Sequence, residues 1–236
     1  MTRHRYVIGD IHGCLKTLRY MVEEIIRLET GDTLYLLGDY VDRGPDSKGV
    51  IDFIISLREK GYRVLTLMGN HEDMLLNAME GGAQFNQWMR NGGSFTLKSF
   101  GLEKMIETGY MSGFGLPDPY LGFLHDLKFY VEMDDVILVH AGIDLSLPDP
   151  FSETYILLWT RQTVIEKKVL GNRKVIHGHT PVPLTVIREM VDDPEANDIN
   201  IDGGCVYTMY RSLGYLAALD LDKRELMWVK NLEGSW

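Results

Sequence analysis

The sequence predicts an α/β fold, and two observations carry the prediction. Short apolar runs alternate with longer segments whose apolar residues recur at helical spacing, the pattern of strands interleaved with amphipathic helices. Five of the apolar runs also stop at a glycine-flanked cluster of Asp, Asn or His. In open α/β sheets, the loops that follow the strands are where ligands sit. No internal repeat, low-complexity linker or clear boundary divides the chain, so residues 1–236 are expected to form one domain.

In chain order, residues 5–9 are the first strand-like run, ending at Asp10. Leu15, Leu18, Val22, Ile25 and Ile26 then line one face of a helix expected to stop near Gly31. Residues 33–37 form a second run, ending at Gly38-Asp39, and Gly44-Pro45 marks a turn before a helix over 50–57. A third run, 64–68, ends at Gly69-Asn70-His71. The glycine-rich stretch 81–122 is expected to hold loops and short helices. Further strands are expected at 136–139, 174–176 and 199–201. Runs 215–221 and 225–229, separated by Asp222-Lys223-Arg224, read as a closing β-hairpin. The acidic stretch 188–198 reads as an exposed connection.

Composition narrows the function classes. The chain carries 24 Lys+Arg against 34 Asp+Glu, a formal charge of −10, with 45% apolar residues. The apolar content is that of a globular protein. The acidity argues against coating nucleic acid or an anionic membrane, since both need clustered Lys and Arg. Two cysteines, Cys14 and Cys205, are too few for a disulfide framework and fit a reducing compartment. The N-terminal MTRHRYVIGD shows no leader-like apolar stretch, and no run approaches a membrane span in length. A cytoplasmic protein with neither nucleic acid nor membrane as partner is the expectation.

The five clusters read GDIHG (9–13), GDYVDRG (38–44), GNHE (69–72), VHAG (139–142) and HGHT (177–180). Any one of them has a plain structural explanation, since a Gly-Asp after a strand is ordinarily a turn. Their joint recurrence does not, because five of the seven histidines fall within them. Oxygen and imidazole donors without a thiolate suit Mn²⁺, Fe or Zn²⁺ rather than a structural zinc knot. Asp10 and His12 alternate along an extended chain, so both face one side only if the backbone bends between them. The donors suffice for two metals about 3.5–4 Å apart, with a carboxylate such as Asp39 between them.

Together these motifs resemble the signature of the phosphoprotein phosphatase family of metallophosphoesterases, in its bacterial and phage form, over residues 6–210. The resemblance implies a four-layer α/β/β/α sandwich, the calcineurin-like metallophosphoesterase fold, with a dinuclear site. By position it implies that Asp10, His12 and Asp39 hold one metal. Asp39 would bridge to a second, completed by Asn70, His140 and His179. Mn²⁺ is the expected ion, with Fe and Zn²⁺ as alternatives. Arg43, Arg161 (in LLWTR, 157–161) and Asn70 would bind the substrate phosphate. His71 would be the general acid, oriented by Asp42, and Glu72 structural. Hydrolysis would proceed by direct attack of a hydroxide bridging the metals, with no covalent phosphoenzyme. Asp202 and Gly203-Gly204 are expected to form a supporting turn, and Cys14 and His177 to pack. Trp88 and the stretch 91–97 would line either the cleft or the core.

The activity the resemblance implies is hydrolysis of phosphate monoesters on a phosphoprotein or phosphopeptide, on Ser/Thr with dual specificity open. The alternative enzyme is the related symmetrical diadenosine tetraphosphate hydrolase. That branch typically lacks the aspartate of the VDRG motif, which this chain keeps as Asp42. A third reading, a non-catalytic phospho-binding module, would require lost ligands or a lost acid, and none is missing. With two dications and Arg43 and Arg161 at its rim, such a site would be locally positive on an acidic surface.

Overall fold

The computed structural model describes residues 3–234. Among these residues, nine strands form two sheets. The first holds β1 (Arg5–Ile8), β2 (Thr33–Leu36), β3 (Arg63–Thr66), β8 (Tyr215–Asp220) and β9 (Glu225–Lys230), in the order β3-β2-β1-β8-β9. The second holds β4 (Tyr130–Glu132), β5 (Val136–Val139), β6 (Lys174–His177) and β7 (Asp198–Asn200), in that order. β1, β2 and β3 run parallel, as do β5, β6 and β7, while β8, β9 and β4 are antiparallel to their neighbours.

The period-2 alternation of each strand sorts its side chains into layers. Val7, Tyr35, Leu37, Ala217 and Leu219 meet Val136, Leu138, Ile176 and Ile199 in the core between the sheets. Their chain neighbours Tyr6, Ile8, Leu34, Leu36, Leu216 and Ala218 point the other way. There they pack on α1 (Leu15–Tyr20), α2 (Ser47–Glu59), α3 (Asn70–Ala78), α4 (Gly82–Trp88), α5 (Ser94–Ser99) and α7 (Tyr120–His125). A further helix, α6 (Met105–Ser112), flanks this layer. Ile137, Val139 and Val175 face outward from the second sheet, onto Leu157 of α8 (Thr154–Trp159) and Leu170 of α9 (Lys167–Leu170). The result is the expected helix–sheet–sheet–helix sandwich.

Two expectations are corrected. The first helix does not run to Gly31. After α1 it widens into a π-helical turn, Met21–Ile26, closed by the Arg27 N–H on the Val22 carbonyl. Arg27, at φ +55°, ends it. The stretch 188–198 is not simply a connection, because α10 (Leu184–Asp192) runs into it. Ile187 and Val191, four residues apart, bury one face of α10 in the core between the sheets. The acidic residues on its other face had masked that spacing. The edge strand β4 was not foreseen, since three mostly exposed residues carry no readable pattern.

Candidate active site

The carboxyl ends of β1, β2, β3, β5 and β6 converge, and their loops interlock through backbone hydrogen bonds. Ile11 and His12 N–H donate to the Asp39 carbonyl (3.1 and 2.7 Å), and Gly13 N–H to that of Tyr40 (2.8 Å). The Gly178 N–H donates to the His140 carbonyl (2.8 Å), joining the two loops of the second sheet. The two sheets are joined at the same rim, where the His179 N–H donates to the Asp10 carboxylate (3.1 Å) and the His140 ring to the Leu37 carbonyl (2.9 Å). The bend demanded between Asp10 and His12 is there, with His12 at φ +48°. Five of the seven described non-glycine residues with positive φ are predicted site residues: His12, Asp39, Asp42, Arg43 and His179. Each such conformation costs about 1–2 kcal/mol, and strain of this kind gathers where side-chain direction matters more than stability.

The donors fall into two tight groups that share Asp39, one with His12 and His71 and the other with His140 and His179. His12 Nε2 lies 3.4 Å from Asp39 Oδ2, and His140 Nε2 lies 3.4 Å from Asp39 Oδ1. Asn70 Oδ1 joins the second group at 3.1 Å from His140 Nε2 and 3.0 Å from His179 Nδ1. Asp10 stands beside these groups, its carboxylate held by the His179 N–H.

Ring orientation shows what the groups suit. The Nδ1 atoms of His12 and His140 lie 2.9 Å from the carbonyls of Val41 and Leu37, so these nitrogens carry the protons. Burial, then Arg43, holds His12 well below the usual histidine range, and burial likewise lowers His140. Burial and His140 bring His179 down to about 4. Neutral His12 and His140 therefore aim Nε2 lone pairs at the oxygens of Asp39 and Asn70, and His179 brings its Nδ1 to Asn70 Oδ1. Converging lone pairs repel one another, and a divalent cation is the species that satisfies them. Asp39 remains ionised: burial pushes it up, but His140, His71, His12 and Arg43 together hold it well below the carboxylate range. Asp10 is pushed well up by burial, Asp202 and Asp39, an accumulation of carboxylates that also suits a cation.

His71 and Asp42 form a fully buried pair, with His71 Nδ1 2.7 Å from Asp42 Oδ2. Asp42 also accepts the indole N–H of Trp88 (2.9 Å) and the Thr96 hydroxyl (2.6 Å). Trp88 is thus a core residue whose one polar atom supports the pair, rather than a cleft residue. Glu72 proves central to the loops, because its carboxylate accepts N–H groups from Tyr40 (2.7 Å), Asp39 (2.8 Å), Val41 and Gly69 (both 3.1 Å). Burial and Asp39 push it up to about 8, against the pull of the Val41 and Tyr40 amides. Asp202 holds the Gly204 N–H (2.8 Å) in the expected turn, and burial raises it to about 7. His177 pairs with Asp198 (3.2 Å), apart from the donor groups. Cys14 is buried as expected.

A cavity of ≈ 360 Å³ opens over Asp39, Asn70, His71 and His179. Arg43 and Arg161 both line it. Asn91, first of the stretch 91–97 that was expected at either cleft or core, lines it too. So do Tyr155, Trp159 and Tyr207, which were not foreseen as site residues, since a single aromatic in a short segment carries no period or motif. Arg43 donates to His12 Nε2 (2.5 Å) and lies over the Tyr207 ring (5.6 Å).

The model of the calcineurin-like phosphoesterase family matches residues 4–210. The chain belongs to this family. Its members work through a dinuclear metal centre, and the two donor groups sharing Asp39 can bind such a pair of metals. The phosphoesterase is 30% identical over 210 residues to serine/threonine-protein phosphatase 1 of Salmonella typhimurium, covering 87% of this chain and 88% of that protein. It is 44% identical over 80 residues to the symmetrical bis(5'-nucleosyl)-tetraphosphatase of Dechloromonas aromatica, covering 34% of this chain and 28% of that one. In fold it is similar to a Saccharomyces cerevisiae protein serine/threonine phosphatase (TM-score 0.59, 14% identity, 97% of this chain and 79% of that one). The cold-active protein-tyrosine phosphatase of a Shewanella species superposes equally well (TM-score 0.59, 16% identity, 98% and 81%). Among the described residues, no helix is long and apolar enough to cross a membrane.

Proposed function

We propose that this phosphoesterase is a metal-dependent phosphoprotein phosphatase that hydrolyses phosphoserine or phosphothreonine, with phosphotyrosine as a further substrate. Asp10, His12 and Asp39 hold one ion, and Asp39, Asn70, His140 and His179 the other, with Mn²⁺ the favoured metal. Bound there, two divalent ions supply Lewis-acid charge and an activated water. Arg43 and Arg161, on the cavity wall, bind the phosphoryl oxygens through planar donor pairs, with Asn70 beside them. His71 donates its proton to the leaving oxygen, while Asp42 fixes the Nδ1 proton and stabilises the imidazolium.

The observation that carries this reading is the Asp42–His71 pair. Asp42 is the residue that the dinucleotide-cleaving branch typically lacks. Here it is not vestigial, since Trp88 and Thr96 hold it and it holds His71. A full set of donors and an intact acid also argue against a non-catalytic module. The lengths of the alignments lean the same way: the phosphatase relative is matched along 88% of its length, against 28% and 43% for two of the tetraphosphatases. The second reading, symmetrical cleavage of diadenosine tetraphosphate, rests on these shorter stretches of higher identity, 44% over 34% of this chain and 39% over 58% of it. Initial rates with Mn²⁺ on phosphopeptides and on diadenosine tetraphosphate separate the two. A higher kcat/KM on phosphopeptides is expected, and a clear preference for the dinucleotide overturns the proposal.

A further inference from the structure

We propose that a side arm of the cleft selects phosphopeptides with a basic residue, Arg or Lys, flanking the phosphoresidue. This rests on the phosphatase reading above and adds the class of peptide. Next to the cavity over His71 lies a second one of ≈ 360 Å³, and Tyr155 and Trp159 line both. Its other wall is made by α3 and α4. Asp73 and Asn77 are one helical turn apart on α3, and Gln84 and Gln87 one turn apart on α4.

The chemistry of this lining is one-sided. It holds one carboxylate, three side-chain amides and two aromatic rings, and no Lys or Arg. Asp73 receives only the Asn77 amide (3.2 Å) and makes no ion pair among the described residues. Tyr155, 71% exposed, and Trp159 lie near-parallel with ring centres 6.4 Å apart. A carboxylate without a counter-charge, amide oxygens and two aromatic rings form the set that holds a cation on a long stem. An acidic side chain would meet Asp73 without compensation. A second arm, which shares Arg43, Asn91 and Tyr207 with the cleft and no residue with the first arm, is different in kind: Arg90, Phe95 and Met209 also line it, around ≈ 530 Å³. The two arms thus present opposite charge beside the same cleft, and this asymmetry draws a basic flanking residue to the first.

The test is a panel of phosphothreonine peptides differing only in the flanking residue, Arg, Gln or Glu, assayed on the Mn²⁺-loaded enzyme. Diadenosine tetraphosphate and p-nitrophenyl phosphate run alongside. An Arg-over-Glu preference of about tenfold in kcat/KM is expected, the size of an ion pair reinforced by ring faces, and it should shrink at high salt. Asp73→Asn should reduce that preference to about threefold or less while leaving p-nitrophenyl phosphate turnover unchanged. Gln87→Glu should enlarge the preference, which keeps the test decisive should Asp73→Asn fold poorly. Equal rates on all the peptides, or a preference that survives Asp73→Asn, overturn the arm and leave the phosphatase reading standing. Inert phosphopeptides beside rapid cleavage of the dinucleotide overturn both, and assign Tyr155 and Trp159 to a nucleobase instead.

Discussion

At His71 the geometry leaves two roles to separate. Its ring lies in a tight group with His12 and Asp39, and it also binds Asp42 through Nδ1. As the general acid, His71→Asn should keep its metal and lose about 10²–10⁴ in kcat on alkyl phosphates, with a much smaller loss on aryl phosphates of low leaving-group pKa. Metal content and a leaving-group series measure the two separately. Loss of metal, or equal damage for every leaving group, makes His71 a ligand. Asp39 and Asp42 were readable from their motifs, because metal and acid chemistry restrict residue type. Trp88 and Thr96 were not readable as partners of Asp42. They lie more than forty residues further along the chain, and only the packing of α4 and α5 brings them to it.

Among the elements, α3 does the most to shape the site, through Glu72 in its first turn. Half of this arrangement is a familiar helix start, in which an acid at the third position accepts the N–H of the residue before the helix. The other half is tertiary: the same carboxylate gathers the amides of Asp39, Tyr40 and Val41 from the loop after β2. Gly69 makes this approach possible, because a Cβ there would collide with the backbone nitrogen and Oδ1 of Asp39. Glu72→Gln keeps the shape but turns an amide NH₂ toward two of the four N–H donors. A loss of about 3 kcal/mol in unfolding free energy is expected, since buried donors are left unpaired, and weaker metal retention should accompany it. Urea unfolding and metal titration check both effects, and an unchanged midpoint would show that the loop holds itself.

For the whole molecule, Arg5 ties the two sheets at the rim away from the site. It reaches Asp222 in the β8–β9 turn (2.7 Å) and, with two N–H groups, Asp135 just before β5 (2.8 and 2.7 Å). These groups are partly exposed, so Arg5→Met should cost only about 1 kcal/mol. The hydrogen bonds from Arg5 hold Asp135 below its ordinary value of 3.8. A lowered carboxylate stabilises the fold above its unfolded pKa and ceases to do so as pH falls through the lowered folded value. The difference between Arg5→Met and the native chain should therefore be full near neutrality and fade below about pH 4. Thermal unfolding across pH measures it, and a difference that persists in acid would exclude the ion pairs as its source.

Composition, strand periods and five motifs were enough to specify an α/β chain and the residue types of a two-metal phosphoesterase site. Those signals are local, since a donor's chemistry and a strand's alternation are written within a few neighbouring residues. Which donors share Asp39, which way each imidazole turns, and what stands behind Asp42 and beneath the loop after β2 are set by contacts between segments far apart in the chain. So is the charge of the two arms beside the cavity over His71, for α3, α4 and α8 contribute to one of them and no single segment holds its pattern. Such contacts depend on how the layers pack, and packing leaves no period for a linear reading to find.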